Sequence, residues 1–158
     1  MDTILDIKND KRSWQEIVFE SNPNLEVRKS LVHGRGVFAT SNIVSGDVIE
    51  TFPLVPLMFK LRYIGDPQII CNAIIHSTCP CEECKKHGYS AFLASGNGMF
   101  YNHQDDNNAV LHVNWDTLYA EVRATKLIQA ESEIFLDYGK NYPWELTGNQ
   151  KITLEEEQ

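Results

Sequence analysis

The chain of 158 residues is long enough for one domain with its own core, and its hydrophobic fraction of 42% and charged fraction of 23% are ordinary for a globular protein. With 14 Lys and Arg against 22 Asp and Glu, the net charge of −8 disfavours direct binding to nucleic-acid phosphates and favours a basic partner. The opening Met1-Asp2-Thr3-Ile4-Leu5-Asp6 has acids where a signal peptide has bases, and residues 67–81, an uncharged run, fall short of the ~20 apolar residues of a membrane span. An intracellular protein, cytoplasmic, nuclear or virus-encoded, with no membrane partner is expected.

Residues 1–23 read as an N-terminal flank, with a short helix predicted over Ser13–Glu20, where Ser13 can cap and Trp14, Ile17 and Val18 share a face. From residue 24 the period changes to two. Leu25 and Val27, then Val37 and Ala39, alternate with Glu26, Arg28, Phe38 and Thr40, the pattern of short strands. After the turn Ser45-Gly46-Asp47, a strand is predicted through Val48, Ile49, Phe52, Leu54 and Val55, closed by Pro53 and Pro56. Residues 57–90 are irregular, hold all four cysteines and read as an insert. Leu111, Val113, Trp115 and Leu118, Ala120, Val122, Ala124 predict a hairpin around Asp116-Thr117, and Ile134-Phe135-Leu136 one more strand before Gly139. Residues 146–158 form an acidic tail that is expected to fray. The fold class is mostly β, in several small sheets, with the domain spanning 24–145.

Gly34-Arg35-Gly36-Val37-Phe38-Ala39 fits the dinucleotide pattern G-x-G-x-x-A, but that reading needs a helix to begin here. Thr40-Ser41-Asn42-Ile43-Val44-Ser45-Gly46 is β-branched and turn-rich, so the dinucleotide reading fails; a glycine hairpin turn or a backbone approach to another ligand remains. Phe100 to Ala109 packs amides, His103 and two acids between apolar strands. Each unpaired amide or imidazole buried there would cost roughly 1 to 3 kcal/mol, so the run must meet backbone or a polar ligand. Asp105 and Asp106 read as a solvated turn or as an acidic lip for a basic substrate, and His33 and His112 as locally satisfied strand residues.

Three motifs stand in register: Gly34 to Ala39, then Asn102-His103 with Asn108-Ala109, then Glu133-Ile134-Phe135-Leu136-Asp137-Tyr138-Gly139, with Ile43-x-x-Gly46-Asp47-x-Ile49 between. Over about residues 25–144 the chain resembles the SET-domain family of lysine methyltransferases, which use S-adenosylmethionine. The family runs G-x-G-(x)-F-A, N-H-S-C-x-P-N and I-x-x-G-E-E-L-x-F-D-Y-G. Here Gln104-Asp105-Asp106-Asn107 replace the Ser, Cys and Pro and are expected to form a solvated loop, and Glu131-Ser132 replace Gly-Glu.

The resemblance implies small sheets with a C-terminal segment threaded through a preceding loop, a pseudoknot that brings Asn102-His103 beside Tyr138 and whose own backbone Asn108 is expected to pin. It further implies that the backbone of Gly34, Arg35 and Gly36 holds the methionine part of S-adenosylmethionine, that Asn102 bonds its amino-acid end and the His103 backbone its adenine, and that Tyr138 is catalytic. Trp144 is assigned to the cofactor site, and Leu136 and Tyr142 to a narrow lysine channel. The substrate would be a lysine of a basic protein or peptide, such as a histone. Its amine must be neutral to accept a methyl group, and moving a lysine pKa of about 10.4 toward 7 takes roughly 4 to 5 kcal/mol. An apolar, aromatic-lined channel next to a sulfonium supplies that bias through desolvation and like charge. Tyr142 and Trp144 read equally as C-terminal core packing. SET domains usually place Phe or Tyr at position 136; the leucine predicts tolerance of di- or trimethylation.

Cys79-Pro80-Cys81-Glu82-Glu83-Cys84 has the spacing of zinc ligands, with Cys71, His76 or His87 as a fourth. Reduced thiols and disulfides are the other readings of Cys79, Cys81 and Cys84. The zinc site that many SET domains build from the Cys of N-H-S-C and a later cysteine triplet is not expected, because Asp105 takes that Cys position and no cysteine follows Tyr138. Two alternatives to the enzyme stay open: a SET-like binding module impaired in catalysis, and a zinc-organised adaptor without cofactor.

Overall fold

The first period-two segments form a hairpin: β1 (Leu25–Lys29) lies antiparallel to β2 (Arg35–Ala39), with Leu25 opposite Ala39 and Lys29 opposite Arg35. The link closes with Ser30 N donating to Gly34 O at 3.0 Å, and Gly34 has φ +48, a left-handed value that costs glycine little. The computed structural model describes residues 22–56, 74–76, 91–139 and 142. The helix predicted over Ser13–Glu20, all four cysteines, Trp144 and the acidic tail lie outside the described residues.

A five-stranded sheet follows, in the order β4 (Ile74–His76), β5 (Ala91–Ala94), β3 (Val48–Pro56), β8 (Tyr119–Ala124), β7 (Ala109–Asn114). β3 pairs with β8 from Val48 to Pro53 and with β5 from Leu54 to Pro56. Pro53 therefore stands inside the strand, not at its end as predicted. It lies where β3 changes partner, a position at which a missing N–H interrupts neither ladder. The region read as an irregular insert contributes β4 to the sheet edge.

The predicted hairpin is present with a longer turn. Asn114 Oδ1 accepts from the N–H groups of Asp116 and Thr117 at 3.0 and 3.1 Å, and Leu118 N donates to Asn114 O at 2.8 Å. Trp115 and Leu118, read as strand residues, are thereby drawn into the turn; the Trp115 ring packs 5.4 Å from Phe92.

Phe52, Phe92, Tyr101, Ile49, Ile128, Ile134, Val37 and Val122 are the largest fully buried side chains. Burial of a Phe or Ile contributes roughly 1.5 to 3 kcal/mol, so this cluster dominates the folding energy. The segment before residue 135 runs along β2: Glu131 N donates to Ala39 O at 2.7 Å, Ala39 N to Ser132 O at 3.0 Å and Ile134 N to Val37 O at 2.8 Å. These bonds place Glu133 against the glycine-rich hairpin.

Candidate active site

Two very short strands make the junction. β6 (Asn102–His103) pairs parallel with β9 (Phe135–Leu136), and Gln104 N extends the ladder to Leu136 O at 3.2 Å. Two-residue strands need support beyond their own ladder. Asn108 supplies it: its Oδ1 accepts from Phe135 N at 2.8 Å and its Nδ2 donates to Glu133 O at 2.9 Å. One amide thus pins the backbone on both sides of Ile134.

The register carries Tyr138 onto His103. Tyr138 N donates to His103 Nδ1 at 3.0 Å, and the two rings lie 5.3 Å apart. At its other end the Tyr138 hydroxyl donates to the backbone carbonyl of Tyr101. The Tyr142 ring packs on Tyr138 at 4.7 Å. Tyr101 is itself fixed, since its buried hydroxyl donates to Glu50 Oε2 at 2.5 Å while Glu50 Oε1 accepts from Asn97 N at 3.1 Å. Burial raises the Glu50 carboxyl above the ordinary range, opposed by these two hydrogen bonds. Burial, and the neighbouring Glu50 charge, also hold the Tyr101 phenol well above its usual value, so it stays a donor.

On the other side of β6, Asn102 Nδ2 lies 3.1 Å from His33 O, 2.9 Å from Arg35 O and 2.8 Å from Glu133 Oε1. An amide has two protons for these three acceptors. Glu133 Oε2 accepts from the Ser30 hydroxyl at 2.9 Å, and burial raises its carboxyl despite both bonds. Gly36 faces this carboxylate, whereas a Cβ at Gly34 would meet no heavy atom within 4 Å among the described residues.

The sequence pattern of the SET domain matches residues 34–139, which contain β2, both halves of the junction and Tyr138. The chain belongs to the SET-domain family. Among solved structures, this SET domain is similar to a Plasmodium falciparum protein proposed to be a histone methyltransferase, at 25% identity and a TM-score of 0.56 over 77% of this chain and 98% of that one. It also resembles a chain from a humanized mutant of the Chaetomium thermophilum Polycomb Repressive Complex 2 bound to an inhibitor, at 18% identity and a TM-score of 0.53. That likeness covers 75% of this chain but 15% of the longer one, and it shows the fold alone. No curated protein is a significant match.

Gly34, Arg35, Gly36, Asn102, His103, Leu136 and Tyr138 gather around β6 and β9, joined by Tyr142 just beyond the matched residues. Gly34 belongs to the loop, while Arg35 and Gly36 open β2, and the Arg35 carbonyl faces Asn102. Leu136 is buried in the core cluster, and Tyr142 is buried against Tyr138. Trp144, Cys79, Cys81 and Cys84 lie outside the described residues, and among the described residues no group of three or more His, Cys, Asp or Glu could hold a metal ion. Likewise no described helix is long and apolar enough to cross a membrane.

The stretch Gln104 to Asn107, read as a solvated loop, divides. Asp105 and Asp106 are exposed, but Gln104 is buried beside β9, where its N–H continues the ladder onto Leu136 O. His33 lies in the loop before β2 rather than in a strand. The functional reading of the sequence passed over Glu50, Tyr101, Glu133 and Ser30. Glu50 had a legible signal, a lone acid between Val48-Ile49 and Phe52 in an apolar strand. Ser30 had none, since its partner is 103 residues away.

Proposed function

We propose that this SET domain is a protein-lysine N-methyltransferase with Tyr138 as its catalytic residue and S-adenosylmethionine as its cofactor. The observation that carries the reading is the double anchorage of Tyr138, by its N–H on His103 and by its hydroxyl on the Tyr101 carbonyl, beside Asn102 and the glycine hairpin. Buried Asn102 offers a test of fit. Its Nδ2 is engaged by the protein, while its Oδ1 receives no bond among the described residues and is available to an amino group. The room beside Gly34 in the direction of a Cβ, among the described residues, is compatible with a ligand approaching from that side. Asn102, the His103 backbone, Gly34, Arg35 and Gly36 would hold the cofactor, with Trp144 a further contact. When bound, S-adenosylmethionine supplies a methyl group carried on a sulfonium.

The rest is the work of the chain. The Tyr138 and Tyr142 rings form an aromatic wall that desolvates an approaching lysine amine and so favours its neutral form. Hydrogen bonds at both ends of Tyr138 hold its hydroxyl in one place, which is the positioning that an in-line methyl transfer requires. Leu136 brings no hydroxyl to the channel, which supports di- and trimethylation.

The substrate in this reading is a lysine-rich basic protein, with histones first among candidates because a similar structure is of a protein proposed to be a histone methyltransferase. The acidic chain favours such a partner, and β4, an edge strand among the described residues, offers a place for an extended peptide to pair. The threaded C-terminal arrangement, the 24–145 domain and a zinc held by Cys79, Cys81 and Cys84 belong to the same reading; metal content before and after chelation tests the last. Calorimetric titration with S-adenosylmethionine tests the cofactor assignment. Binding that weakens at least tenfold in Asn102→Ala is expected, and no binding to the wild type would remove it. Binding without transfer to any basic protein would favour the impaired binding module.

A further inference from the structure

We infer that Asp105 and His103 form a positioning pair that sets the placement of Tyr138; this rests on the reading of Tyr138 as catalytic. The residue at 105 is a departure from the family pattern, which has Cys there, so the pair belongs to this chain's own sequence.

Two described contacts bear on the tautomer of the imidazole. His103 Nδ1 lies 3.0 Å from Tyr138 N, and a backbone N–H is only a donor, so Nδ1 must be the unprotonated nitrogen. The ring proton then sits on Nε2, which faces Asp105 Oδ1 at 3.3 Å. An ionised carboxylate is only an acceptor, so Asp105 selects the tautomer that lets Nδ1 receive the Tyr138 N–H.

A second carboxylate pulls the other way. Asp137 Oδ1 lies 3.8 Å from Nδ1 and would favour a proton there, which would set two N–H groups against each other and release Tyr138. Asp105 and Asp137 are both largely exposed, with side chains 57% and 61% accessible, while the His103 ring is buried. Among the described residues, Asp105 on the loop after β6 and Asp137 after β9 are the acids that face the ring, and Tyr138 covers it. The shorter contact, to Asp105, decides the competition. Tyr138 is then held by its main chain at one end and by its hydroxyl at the other, and loss of the first anchor frees the ring to move about the second.

The test uses the full chain with 15N-labelled histidine. Long-range 15N–1H correlation spectra, with His103 assigned by the signal lost in His103→Gln, should show the wild-type proton on Nε2. In Asp105→Ala and Asp105→Cys the ring should shift toward the Nδ1–H form and the Tyr138 amide should exchange faster with solvent. Asp105→Glu, which keeps a carboxylate, should return the wild-type pattern. In steady state, Asp105→Ala should lower kcat about 5- to 10-fold, the weight of one hydrogen bond. Its affinity for S-adenosylmethionine should stay within about twofold, and it should cause no further loss in a Tyr138→Phe background. An unchanged tautomer in both Asp105→Ala and Asp105→Cys overturns the pair. So does a shifted tautomer with unchanged Tyr138 exchange and unchanged kcat, or a loss that multiplies with Tyr138→Phe. A wild type that transfers no methyl group would instead overturn the proposed function, and the two spectroscopic readouts would still decide the pair.

Discussion

The carboxylate of Glu133 occupies the space that a side chain at Gly36 would need: a Cβ there would stand 1.9 Å from Glu133 Oε1 and 3.2 Å from Asn102 Nδ2. The glycine is required by the acid, which is itself held by Asn102 and Ser30. Gly36→Ala should therefore displace Glu133 and destabilise the chain by roughly 1 to 3 kcal/mol, the usual range for overpacking. Glu133→Ala added to Gly36→Ala should cost less than the sum of the two single changes, as read from urea unfolding midpoints.

Glu50 should make stability depend on pH in a definite direction. Its carboxyl is raised above 4.5 by burial in the folded state. The folded chain thus binds the proton more tightly than the unfolded chain, so the group's contribution is fully present below the unfolded value and is lost as pH rises through the folded one. Comparing melting temperatures of wild type and Glu50→Gln, the difference should move in favour of the wild type as pH falls from about 7 toward 4.5. A gap that does not change with pH would contradict the buried, raised carboxyl.

Glu131 occupies the Gly position of the family motif with φ 70, in the left-handed region that costs a side-chain-bearing residue roughly 1 to 2 kcal/mol. Its exposed carboxylate pairs with Arg28, which holds its carboxyl below the ordinary range. Surface pairs of this kind contribute little. Glu131→Gly should leave the chain at least as stable, up to about 1 kcal/mol more so after the added freedom of an unfolded glycine is subtracted. Thermal unfolding of the two proteins, at low and at high salt, measures this.

Leu136 sets the product in the proposed reading. Mass spectrometry of a methylated lysine peptide should find di- or trimethyl-lysine with the wild type and a shift toward monomethyl-lysine with Leu136→Tyr. Monomethyl product from the wild type, unchanged in the variant, would contradict the role of Leu136.

How much of this was legible depended on the distance over which each feature is decided. β1, β2 and β8 follow from alternation of neighbouring residues, and the pairing of residues 102–103 with 135–136 agrees with motif spacing. Asn108 was identified as a backbone pin by the same route. Pro53 misled because a strand's change of partner leaves no mark on its own sequence. Gln104 did so because its burial is set by β9, more than thirty residues later. The Glu50–Tyr101 bond spans 51 residues and the Asn102 amide reaches back 67 to Arg35. Contacts of that separation are settled by tertiary packing, which local pattern does not encode.

Transfer of a labelled methyl group from S-adenosylmethionine to a panel of histones and other basic proteins, with wild type and Tyr138→Phe side by side, tests the central claim most directly. The account predicts transfer to a lysine side chain by the wild type and a loss of at least about 100-fold in kcat for Tyr138→Phe, the scale of a lost catalytic group, with cofactor affinity nearly unchanged. Transfer that persists undiminished in Tyr138→Phe, or cofactor binding with no transfer to any protein, would contradict it.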